Sequence, residues 1–235
     1  MKDTQINQLV EEINNAGGEQ FWGESNLFER AAQVHDARVV RALVLLHHSL
    51  SNKEAISAHV VRNTIKAIDG PEFHYLWSFI DAENDAATIV ARMDDFTYLP
   101  WAAAFILGEI GGSHVFEATT ARLVPPHQAR YHLLVRLLSH VLVRYLQIAE
   151  PTEPTGTMID VNTGERKTIP LRDVGGNAYQ MHLARQSEAD EYFTPISTNA
   201  VADAKRQLQA IPDSLFNIQK PQFLHALDCL QTCHE

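Results

Sequence analysis

The chain has 235 residues, 45% of them hydrophobic, and 29 acidic against 19 Lys and Arg side chains, for a net charge of −10. This composition sustains a folded core and excludes bulk disorder, while the negative field opposes nucleic acid or anionic lipid as main partner. Two cysteines make no disulfide framework, the start Met1-Lys2-Asp3-Thr4-Gln5 has no secretory apolar core, and no apolar run is membrane-length, so a cytoplasmic protein is expected.

Ile6, Leu9, Val10 and Ile13 recur at helical spacing and predict a short amphipathic helix, with Gly17-Gly18 as its stop. A strongly apolar run over 36–50 predicts the next helix. Ser51-Asn52-Lys53-Glu54 fits a capping box for a further helix reaching Ile68, which Asp69-Gly70-Pro71 terminates. A shift of 42 residues places Val60, Val61, Thr64, Ile65, Ile68 and Gly70 on Ala102, Ala103, Ile106, Leu107, Ile110 and Gly112. A period near 40–47 residues is that of stacked helix pairs, because one pair cannot bury its apolar face alone.

The segment Trp101-Ala102-Ala103-Ala104-Phe105-Ile106-Leu107-Gly108-Glu109-Ile110-Gly111-Gly112 resembles the second half of a HEAT-like repeat of the phycobilisome-lyase type, over roughly residues 35–124. The earlier copy, Lys66-Ala67-Ile68-Asp69-Gly70, departs from it with Lys in the glycine position. The resemblance implies a mainly α fold, a HEAT-like α-solenoid in which Gly108 lets neighbouring helices approach. It also implies, from the lyase-type relatives, activity on chromophore linkages. Another HEAT-like family excises alkylated bases, but needs a basic concave face that the charge here opposes.

After Pro125-Pro126 a long helix is expected over 127–149. The pattern then changes. Pro151 to Gly156 is non-helical, and the alternation of Thr157-Met158-Ile159-Asp160-Val161 and Arg166-Lys167-Thr168-Ile169 about Asn162-Thr163-Gly164-Glu165 predicts a β-hairpin. Helices are expected again over 178–187, 199–210 and 221–232. The chain thus divides into helical repeats with an N-terminal helix (1–150), a loop and hairpin insertion (151–176) and C-terminal helices packing on the repeats (177–235).

No P-loop, nucleophile elbow, His-Glu-x-x-His or dinucleotide fingerprint is present. His225, Cys229 and Cys233 are spaced at i, i+4 and i+8, too spread along a helix axis for one structural zinc, and His47-His48 read as packed histidines. Neither metal nor cofactor is expected. Asp81, Glu83, Asp85, Asp94 and Asp95 gather five acids, opposed locally by Arg92 alone. They read as helix caps for Asp81, Asn84 and Asp85, and equally as a carboxylate rim for Lys and Arg of a basic partner. His132, Arg136, His140 and Arg144 form a stripe along one helix, a solvated face or a binding strip. Trp77, Phe79, Phe96, Tyr98 and Trp101 bracket the acids as core or interface anchors. The expectation is therefore a non-enzymatic protein-binding solenoid that occupies a basic protein partner, by analogy with bacterial immunity and antitoxin proteins. A chromophore-lyase type enzyme or chaperone and a scaffold subunit stand as alternatives.

Overall fold

In the computed structural model, which describes residues 2–16, 25–51, 55–149, 155–159, 166–170, 196–215 and 220–232, the protein is mainly helical. Helix α1 (Asp3–Asn15) buries Ile6, Leu9 and Ile13, the stripe that the spacing predicts. Helix α2 (Ser25–Ala31), which periodicity does not announce, buries Leu27, Phe28 and Ala31. α3 (Ala37–Ser51) and α4 (Ala55–Asp69) pack on each other, and both bury an apolar stripe, Val40, Leu43 and Val44 in the first and Val61 and Ile65 in the second. Residues 52–54 of the expected capping box lie outside the described residues.

One residue ends α4 and starts the next helix. Asp69 is buried, and its carboxylate accepts the backbone N–H groups of Tyr75 at 2.8 Å and Leu76 at 3.0 Å. It thereby caps α5 (His74–Asp81), while Gly70 takes φ +69°, which a side chain would disfavour. Burial raises the Asp69 carboxyl, and the two backbone donors work against that rise. α6 (Ala86–Ala91) is capped by Asp85, which accepts from Ala87 and Thr88 N–H. α7 (Leu99–Ile110) is buried nearly all round, from Trp101 through Ala103, Ile106 and Leu107 to Ile110. α8 (Gly112–Ala121) follows directly.

The single helix expected over 127–149 is instead a 3-10 turn, Pro125–Arg130, and then α9 (Tyr131–Ala149). Arg130 closes that turn. Its buried guanidinium donates to the main-chain oxygens of Asp81 and Glu83 and to the Asn84 side chain, and so holds this segment against the α5–α6 turn. Two strands, β1 (Thr155–Ile159) and β2 (Arg166–Pro170), pair antiparallel with Thr157 opposite Thr168. The intervening residues 160–165 and the helix expected over 178–187 lie outside the described residues. α10 (Thr198–Ala210), capped by Ser197, and α11 (Lys220–Thr232) complete the chain close to the expected bounds.

The packing partners fall in two sequences. α1 packs on α3, α3 on α7, α7 on α9 and α9 on α11; α2 packs on α4, α4 on α5, and α8 on α10. Cross-contacts join α1 to α2, α3 to α4, α5 to α7, α8 to α9 and α10 to α11. Among the described helices, α6 aside, the order alternates between the two rows except at α4–α5, where both lie in the second. α4 and α7, which the 42-residue shift superposes, therefore stand diagonally across the group α3, α4, α5 and α7. Their matching patterns reflect a shared environment. Both bury an apolar stripe, with Val61, Ile65 and Ile68 in α4 and Ala103, Leu107 and Ile110 in α7, and both end at a glycine of positive φ, Gly70 or Gly111 and Gly112. Among the described residues no helix is long and apolar enough to cross a membrane.

Candidate functional site

The five acids do not stand free on a rim. Asp81, the last residue of α5, accepts from Arg122 Nε at 3.4 Å and Nη2 at 3.3 Å, with Arg130 Nη1 4.0 Å from its other oxygen. Arg122 also lies over the Trp77 ring, 4.0 Å from its centroid. Glu83 accepts the backbone N–H groups of Asn84 and Asp85 and the Tyr98 hydroxyl, and the Asp85 N–H leads in holding its carboxyl below the usual range. Burial and that same bond to Glu83 push the Tyr98 phenol up. Asp85 caps α6 and is lowered chiefly by the Thr88 hydroxyl. Asp95 accepts from the Thr97 hydroxyl and N–H and from Arg92, which together bring it to about 2. Four of the five acids are thus tied into caps, turns and pairs. The local opposition by Arg92 alone is incomplete: Arg122, Arg130 and Arg136 reach the cluster from later helices.

Asp94 differs. It sits at φ +68°, a left-handed backbone uncommon for any residue but glycine, with its side chain 68% exposed. Its carboxylate lies 3.6 Å from Arg136 Nη2 of α9, an ion pair longer than a hydrogen bond. The acid rim and the His132–Arg144 strip, alternatives on the sequence, meet here.

Behind that pair lies a cavity of about 300 Å³ between α7, α9 and the loop before α7. Trp101, Ala104 and Phe105 supply one wall, Arg136, Ser139 and His140 another, and Asp94 and Phe96 the third. Phe96 meets Phe105 edge-on at 5.1 Å and Trp101 at 6.2 Å, and His48 of α3 stacks flat on Phe96 at 3.7 Å. Burial, then the neighbouring His47, lowers the His48 pKa. The Arg136 guanidinium stands 5.8 Å from the Trp101 centroid. The Trp101 indole N–H is buried and has no hydrogen-bond partner. Gly108 lets α9 come this close: a Cβ there would stand 2.8 Å from His140 Cγ and 3.0 Å from its Cβ.

Of the remaining strip residues, His132 lies apart, half-buried beside Ala87, Val90 and Leu215, and burial lowers its pKa. The Arg144 side chain lies outside the described residues, as do Cys229 and Cys233 as side chains. Among the described residues no three His, Cys, Asp or Glu converge as a metal site. His47 packs inside, its Nε2 3.1 Å from Glu109 Oε2, to which Arg62 also donates at 3.0 Å. Burial works to raise the Glu109 carboxyl, but the neighbouring His47 and the Arg62 guanidinium hold it at about 2. The sequence reading missed the cavity. Its available signal was a pair of i, i+4 couples on facing helices, Trp101 with Phe105 and Arg136 with His140. No family model, no curated protein and no solved structure matches this chain in comparisons with known proteins.

Proposed function

We propose that the protein is a non-enzymatic, protein-binding α-solenoid of HEAT-like helix pairs, with β1 and β2 joined as a hairpin insertion, and that it occupies a basic partner in the manner of an immunity or antitoxin protein. The two sequences of packed helices support the solenoid, since stacked pairs offer a broad preformed surface and lose little ordering entropy on binding. The net charge of −10 supports a cationic partner by speeding encounter. The observation that carries the reading is Asp94. Its side chain is 68% exposed, caps no helix, and faces Arg136 beside an aromatic-lined cavity suited to an anchoring side chain.

The test is co-expression of the tagged chain with the product of the adjacent gene. A stoichiometric complex whose association rate falls with added salt, and falls several-fold in Asp94→Asn, is the expected result. An association rate indifferent to both salt and Asp94 would remove the electrostatic reading. A His140→Ala variant that keeps the complex but loses inhibition of the partner would require an enzymatic one instead.

A further inference from the structure

We propose that the α7–α9 cavity is a binding site for a free aromatic α-amino acid, with the ring among the aromatic walls, the carboxylate on Arg136 and the ammonium on Asp94. This goes beyond the protein-binding reading and does not rest on it. Size comes first. A cavity of about 300 Å³ is at the small end of ligand sites and takes one aromatic side chain. Its surface is mostly carbon, and Phe96, Phe105 and Trp101 present edges and faces at centroid spacings of 5.1 and 6.2 Å, which a further ring extends in kind.

Charge selects the polar end. Asp94 and Arg136 stand at the opening, 3.6 Å apart, paired by charge but without a hydrogen bond between them. A ligand bearing only a carboxylate would take Arg136 and leave Asp94 facing a like charge. A ligand bearing only an ammonium would do the reverse. A zwitterion satisfies both and leaves no uncompensated ion at a partly desolvated site. The guanidinium fork matches a carboxylate bidentately. The left-handed backbone at Asp94 fits the same account, because it holds the carboxylate at the opening at a local cost in strain.

Isothermal titration of the full chain with L-phenylalanine, 3-phenylpropionate, phenethylamine and L-alanine decides the matter. L-Phenylalanine should bind in a one-to-one ratio, the two single-charge analogues about tenfold more weakly or worse, and L-alanine without measurable heat. Asp94→Asn and Arg136→Gln should each weaken L-phenylalanine about tenfold while leaving the circular dichroism melt in place. Absence of heat from L-phenylalanine up to about 10 mM would overturn the proposal. Equal affinities for the zwitterion and the single-charge analogues would overturn it too, since the cavity would then read the ring alone. Either failure leaves partner binding through Asp94 standing.

Discussion

Gly108 shows how one missing side chain positions two helices. Replacing it with Ala gains roughly 1 kcal/mol of helix propensity. Against that, the new methyl would meet the His140 ring root at 2.8 and 3.0 Å, atoms too close to the α9 backbone to swing aside. Overpacking of that kind costs roughly 1–3 kcal/mol, so the strain wins. Gly108→Ala should lower the urea midpoint and also narrow the cavity wall that His140 forms. An unchanged or higher midpoint would place the α7–α9 contact elsewhere. Glu109, the next residue, ties α7 to His47 of α3 and Arg62 of α4. Its pKa of about 2 lies below the ordinary 4.5, so the stabilisation gained by its ionised form is fully present above about 4.5. That contribution is lost as pH falls through about 2. Glu109→Gln should therefore cost about 1–3 kcal/mol at neutral pH through the lost Arg62 bond, and its denaturation midpoint should change less than wild type over pH 5 to 2. Parallel curves for the two proteins would refute the assignment.

At the scale of the element, α7 packs on α3, α5, α8 and α9. Leu107 is fully buried on it, and Leu107→Ala should lower stability by about 2–5 kcal/mol through lost burial and a residual cavity, read as a shift in the chemical denaturation midpoint. The helical character of α7 was legible, as were α1, α10 and α11, because their apolar spacing and stop signals are local. The position of α7 was not. Its pattern matches α4 for reasons of burial, and nothing in a run of residues states which row a helix joins. The start of α9 was misjudged for a related reason: Arg130 bonds to the α5–α6 turn, 46 residues and more away in the chain. The same distance hid the site. Asp94 and Arg136 were both singled out as binding residues, yet on separate surfaces, and only the packing of α9 against α7 makes them one opening. The rim acids read as a clamp because Arg122, Arg130 and Arg136 are remote in sequence. With those partners in place, neutral substitutions at Asp81, Glu83 and Asp95 would disturb turns and caps rather than test binding, whereas Asp94 is free of that difficulty.

For the whole molecule, the change of row between α4 and α5 has a bearing on how this architecture can vary. An array whose pairs all run in one order can gain or lose a pair at any seam and close up again, like a stack of identical plates. In the proposed solenoid, the described pairs before Gly70 enter by the first row, and those after it enter by the second. A unit copied from one side and inserted on the other would present its helices in reversed order and bury the wrong faces. Asp69, which caps α5 while closing α4, is the clasp at that reversal.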